Sequence, residues 1–129
     1  MKPAASEWIE KADADFISAG REFRARKQPN FDAACFFAQQ CVEKFLKARL
    51  VQASRPVPKT HDLSALLDLL LPLEPLWEAF RPQLETLTSY AVVFRYPGES
   101  ATREMAKTAV ADAQSIRRKI RLAFGLRDK

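Results

Sequence analysis

Phe37-Ala38-Gln39-Gln40-Cys41-Val42-Glu43-Lys44-Phe45-Leu46-Lys47-Ala48 decides the fold of this chain. Its residues Phe37, Ala38, Cys41, Phe45 and Ala48 recur at threes and fours, the spacing of one face of an α-helix. Small and large side chains alternate along that face, so a neighbouring helix can approach closely. Gln40, Lys44 and Lys47 fall at spacings of four and three and form a polar stripe beside it. A helix needs no such amide-plus-lysine stripe in order to pack. The combination suits recognition, and it makes these three residues candidate ligand contacts. The plainer reading is a solvated face with an ordinary Glu43–Lys47 ion pair one turn apart.

The same periodicity extends this helix over about Phe31 to Ala53, with Asn30 or Asp32 able to cap its start. Upstream, Trp8, Ala12, Asp15/Phe16, Ala19 and Phe23 predict a first helix from about Pro3 to Arg26, ended by Pro29-Asn30. Downstream, Pro56 and Pro58 fix an extended connection. A short helix follows from Asp62 to about Leu71, carrying Leu63, Leu66, Leu67 and Leu70, with Pro72 and Pro75 behind it. Trp77, Phe80, Leu84, Leu87, Ala91 and Phe94 keep helical spacing from Leu76 to Arg95, and Pro82 either starts or kinks that segment. Tyr96-Pro97-Gly98-Glu99-Ser100 is turn chemistry. Ser100 can cap a last helix, Ala101 to Phe124, which carries Met105, Ala109, Ala113, Ile116 and Ile120 and is stopped by Gly125. No strand alternation persists. The expected fold is all-α: a single domain over residues 1–129, an up-and-down bundle of about five helices with two long N-terminal helices, and no internal repeats.

Composition agrees. With 129 residues there is enough chain for one core, and 47% hydrophobic content beside 29% charged residues is that of a soluble globular domain. Only 3 glycines and few β-branched residues favour helix over sheet. The opening Met1-Lys2-Pro3-Ala4-Ala5-Ser6-Glu7 turns polar too soon for a signal peptide, and Asp68 and Pro72 interrupt the longest apolar run. The expectation is a cytoplasmic protein without a membrane segment. Cys35 and Cys41, six apart, lie on different helix faces and cannot bridge along one helix, so they read as reduced core thiols. The formal charge is +5. Arg117, Arg118, Lys119, Arg121, Arg127 and Lys129 gather it at the C-terminus, as either a phosphate-attracting patch or a solvated basic helix end. No aromatics interleave there to stack bases, which favours the solvated end.

Four residues outside the decisive helix carry chemistry. His61 is the sole imidazole, in Lys59-Thr60-His61-Asp62-Leu63, suited to proton transfer or phosphate contact, or to bonding the first turn of the next helix. Arg95 and Tyr96, entering the turn, offer a bidentate donor and a stacking face with a hydroxyl. Arg55 stands six before His61, a separation compatible with an RNA-cleaving pair in which arginine positions a phosphate and histidine moves a proton. Pro56 and Pro58 intervene, so one helix turn cannot present the two together. There is no metal-ligand cluster, glycine-rich phosphate loop or Ser/His/Asp set, and no cofactor is implied.

Taken in order, these segments resemble the HEPN family, named for higher eukaryotes and prokaryotes nucleotide-binding. The resemblance is carried by Trp8 and Ala12 to Phe16, by Phe37-Ala38-Gln39-Gln40 with Glu43-Lys44 and Leu46-Lys47-Ala48, by Thr60-His61-Asp62-Leu63, and by Arg95-Tyr96-Pro97. It implies a helical bundle that usually dimerises, often encoded beside a minimal nucleotidyltransferase with which it can form a toxin–antitoxin pair. Some members are metal-independent endoribonucleases with an Arg-x4-6-His motif near the C-terminal helices. Here no histidine follows Arg95, so that activity is not carried over. The reading is a nucleotide- or nucleic-acid-binding module whose groove is lined by Gln40, Lys44, Lys47, His61, Arg95 and Tyr96. The alternative is an endoribonuclease toxin in which Arg55 and His61 meet across a dimer interface.

Overall fold

Helix starts are set by side chains that satisfy the free first-turn amides. Asn30 Oδ1 accepts from the Ala33 amide at 2.9 Å, Asp62 Oδ1 from Ser64 and Ala65 at 3.0 and 3.3 Å, and Thr102 Oγ1 from Met105 at 3.1 Å. Prolines occupy the first turns of the two remaining helices, where a missing amide proton costs nothing. The structure, a computed structural model, describes residues 1–127. Among them the chain forms α1 (Pro3–Arg24), α2 (Phe31–Gln52), α3 (Leu63–Leu70), α4 (Arg81–Thr88) and α5 (Arg103–Ala123), with no strand. The expected all-α bundle with two long N-terminal helices, 22 residues each, is what the chain adopts. Lys129 of the basic C-terminal group lies outside the described residues.

Helix α2 is the axis. Apolar residues surround it, as in a helix buried on all sides, and twelve of its 22 residues are buried. Helix α1 runs antiparallel along it: Phe23 meets Phe31 at one end, and Lys2 bonds Gln52 and Ser54 at the other. Helix α5 closes a three-helix layer against both. Helices α3 and α4 cover the remaining side, packing Leu63, Leu66, Leu67, Leu70, Leu84 and Leu87 into the same core as Phe45, Leu46, Ile116 and Ile120. Both thiols are free and buried. Burial, with Asp32 nearby, pushes the Cys35 thiol up to about 12, and burial raises Cys41 as well. Neither is a ready nucleophile.

Three expectations need correction. Of the two alternatives for Pro82 the chain takes the first, a helix start at α4, but the helix does not run on to Arg95: the segment is α4 flanked by 3-10 turns at Pro75–Phe80, Ser89–Ala91 and Val93–Arg95. Hydroxyl back-bonding marks the end of α4. Thr86, Thr88 and Ser89 return their side chains to the carbonyls of Pro82, Leu84 and Thr86, competing with the regular ladder. Secondly, α5 is capped by Thr102 and not by Ser100, because Asp32 Oδ1 accepts from the Ala101 amide at 2.6 Å and holds the preceding turn against α2.

The third correction concerns the basic C-terminus, which is only partly a solvated helix end. Arg117 and Arg121 are each 5% exposed and converge on Asp13 of α1, through Nε at 2.9 Å and Nη1 at 2.7 Å. Arg117 also lies over the Phe16 ring, 4.9 Å from its centre. Two charges that the sequence offers to an outside partner are thus spent in locking α5 to α1. Asp13→Asn keeps the shape but withdraws the carboxylate that the nearly buried Arg117 and Arg121 guanidinium groups share. It should destabilise the fold by about 2–3 kcal/mol in urea denaturation, discounted for the partial exposure of Asp13.

Candidate functional site

The centre of the polar stripe on α2 is a residue flanked by the expected ones. Glu43 is 4% exposed, and such a carboxylate persists as an anion only if donors surround it. Lys47, one turn on, gives Nζ to Oε2 at 2.9 Å. Gln39, one turn back and wholly buried, donates Nε2 to Oε1 at 3.0 Å. His61 donates Nδ1 to the same Oε1 at 2.7 Å. Burial pushes the Glu43 carboxyl up, but the bonds from Lys47, Gln39 and His61 outweigh it and hold the group below its ordinary value. Glu43 is therefore an anion at neutral pH.

A carboxylate can only accept, so Nδ1 of His61 carries the proton. The ring itself is 65% exposed, leaving Nε2 turned to solvent as an acceptor, or as a donor once the ring is protonated. Gln39 fixes the backbone too, its Nε2 lying 3.3 Å from the His61 carbonyl. Sequence reading singled out His61, Gln40 and Lys47, but missed Gln39 and Glu43, the two residues that tie them together. The one legible signal was the i,i+4 spacing of Glu43 and Lys47. Nothing local says that this pair is buried, because burial comes from Trp8 of α1, over which the Lys47 ammonium sits at 5.8 Å.

The other stripe members divide by partner. Lys44 turns to α1 and pairs with Asp15 at 2.5 Å. Gln40, half-buried, donates to Gln39 Oε1 at 2.7 Å and extends the chain of bonds outward. Continuing towards the N-terminus, Lys47, Glu43, Gln40, Phe36 and Asp32 follow at steps of four, three, four and four, so they form one face of α2. Arg95 lies on that face, its guanidinium 5.4 Å from the centre of the Phe36 ring. Phe36 and Glu43 are seven residues apart, so Arg95 and His61 touch the stripe about two turns, roughly 10 Å, from each other. Arg95 is exposed and makes no ion pair among the described residues, and Tyr96 follows it, 66% exposed. His61, Gln40 and Arg95 are thus brought onto one stripe, while Lys44 and Lys47 serve inside it.

Arg55 lies elsewhere. It lines an apolar cavity of about 260 Å³ with Leu50, Pro56, Val57, Pro58 and Leu69, and it has neither hydrogen bond nor ion pair to His61 within the chain. Among the described residues no group of three or more His, Cys, Asp or Glu side chains could hold a metal ion, and no helix is long and apolar enough to cross a membrane.

The HEPN domain family profile matches residues 5–122, almost all of the bundle and every member of the stripe. The chain belongs to the HEPN domain family. The fold is also similar to that of TT1696 from Thermus thermophilus, a crystal structure, with a TM-score of 0.81 at 23% identity over 94% of this chain and 98% of that one. A comparison with curated proteins gives no match. Membership in the HEPN domain family supports a module that interacts with nucleotides or RNA.

Because the folded pKa of Glu43 is depressed, its contribution to stability is present above the unfolded carboxylate value, about 4.3, and is lost as pH falls through the folded value. Denaturation midpoints measured from pH 7 to pH 3 should therefore fall more steeply in the parent HEPN domain than in Glu43→Gln. At pH 7 that variant should be less stable by roughly 3 kcal/mol, since Lys47 stays buried without its counter-charge.

Proposed function

We propose that this HEPN domain is a nucleotide- or nucleic-acid-binding and interaction module rather than a catalyst. It acts as a homodimer together with a minimal nucleotidyltransferase, in a toxin–antitoxin type of pair. One observation carries the binding half of this reading: His61, held by buried Glu43, and Arg95, free of any ion pair among the described residues, stand on one stripe of α2. An imidazole edge and a planar guanidinium that touch α2 about two turns apart suit two points along a phosphodiester or nucleotide. Gln40 supplies an amide between them, and Tyr96 a further ring at the exposed end. Lys44 and Lys47 act as positioning residues, keeping α1 and Glu43 in place behind the contact surface. The partner and the dimer rest on the family's habits.

The endoribonuclease reading has one observation in its favour. A histidine whose Nδ1 is fixed by a carboxylate presents Nε2 as a proton acceptor, as a general base requires. Arg55 would have to be supplied by the second protomer.

Fluorescence anisotropy with labelled single-stranded RNA separates the readings. His61→Ala and Arg95→Ala should each weaken binding by about five- to tenfold. Arg95→Ala should also reduce the slope of log affinity against log salt by about 0.7, the share of one phosphate contact. The binding reading fails if both variants bind as the parent does. Metal-free RNA cleavage by the parent, abolished in His61→Ala and in Arg55→Ala, would establish the endoribonuclease instead.

A further inference from the structure

We propose that the aromatic cavity between the start of α2 and the 3-10 turns after α4 is a nucleobase pocket, with Arg95 at its rim taking the adjoining phosphate. This rests on the nucleotide-binding reading above and states where the base goes. The cavity is about 360 Å³, within the range of small-molecule sites. Its walls come from α2 and the two 3-10 turns that follow α4. Phe36 and Phe37 on α2 meet edge to face at 5.6 Å, and Tyr90 and Phe94 from the 3-10 turns stack at 5.3 Å. Phe36, Phe37 and Phe94 are only partly buried, although Phe37 and Phe94 pack on the core. Ring surface left accessible inside a cavity is what a stacked base would cover, and stacking works for any base because each has a π-face.

Two polar groups orient the guest. Asp32 lines the cavity with one oxygen engaged by the Ala101 amide, leaving Oδ2 to accept from an amino group on a base edge. Arg95 lines it too, stacked over Phe36, with its forked donors uncommitted to any carboxylate among the described residues. Its planar guanidinium can cover a base or grip a phosphate through two bonds. The carboxylate repels phosphate, so the charges set a direction: base towards Asp32, phosphate towards Arg95. The cavity at Arg55 offers no such pairing, being lined by aliphatic side chains and prolines with Arg55 as its one charged group.

Calorimetry on the full chain tests this with three probes: AMP, ribose 5-phosphate and a single-stranded RNA tetranucleotide. AMP should bind at least about tenfold more tightly than ribose 5-phosphate, the minimum expected of one stacked base. Phe36→Leu and Phe94→Leu, which keep apolar volume but remove the ring, should lower AMP affinity to the ribose 5-phosphate level. Phe94→Tyr should stay within about threefold of the parent, which a role confined to packing would not require. Should a leucine variant lose its thermal transition, nuclear Overhauser contacts between AMP H2 or H8 and the Phe36 or Phe94 ring in the unaltered protein decide the matter. The tetranucleotide identifies the source of the base: tighter binding than AMP means an unstacked residue of RNA, and weaker binding a free nucleotide. Nucleotide binding that ignores both leucine variants, equal binding of AMP and ribose 5-phosphate, or absent ring contacts would overturn the pocket while leaving the binding module standing. Failure of both AMP and the tetranucleotide to bind would remove both.

Discussion

One buried carboxylate constrains the functional side of this protein. Glu43 sits inside a helix that is itself the axis of the bundle, where an uncompensated anion would not be tolerated. Three donors from three different positions meet it: an amide one turn back, an ammonium one turn on, and an imidazole from the loop before α3. The third is the consequential one. It converts the Pro56–Pro58 connection, which has no regular structure, into a loop whose histidine has a fixed tautomer and a fixed outward edge. Remove the carboxylate and His61 is an ordinary exposed side chain; keep it and the ring is part of the scaffold.

Positive charge follows a related logic. The chain carries an excess of basic residues, and several of its cations are committed to internal ion pairs. Arg117 and Arg121 grip Asp13, Lys44 grips Asp15, Lys47 grips Glu43, and Arg49 grips Glu74. Apart from Lys47–Glu43, which lies within α2, these pairs join α1 to α5, α1 to α2, and the turn after α3 to α2. These cations hold the bundle together and are not available to a polyanion, although each pairing removes a carboxylate as well and leaves the net charge almost unchanged. Arg95 differs in that its guanidinium rests on an aromatic ring rather than against a carboxylate. On the binding reading, recognition is built from a few positioned groups and aromatic surface.

The bundle was legible because its signals are local and repeated: period-3.6 apolar spacing in α1, α2 and α5, capping residues at Asn30 and Asp62, and a glycine stop at Gly125, whose φ is +73°. The segment after α4 was read as continuous helix because Ala91 and Phe94 keep helical spacing, and they do face inward. Periodicity cannot register that Thr86, Thr88 and Ser89 turn their hydroxyls on the backbone. Likewise Ser100 and Thr102 are equally good caps in isolation, and the choice is made by Asp32, nearly seventy residues away in sequence. The site was half legible. Its exposed members are chemically unusual residues in unusual places, whereas Gln39 and Glu43 look like any polar helix residues until α1 and the His61 loop close over them.

On the binding reading, His61 and Arg95, though far apart in sequence, present one surface on one face of α2. A nuclear magnetic resonance titration with AMP, following the His61 ring protons and the Arg95 Nε–H together, tests that directly. A shared surface predicts that both signals move and saturate with a single dissociation constant. Movement of one without the other, or two different constants, would contradict it.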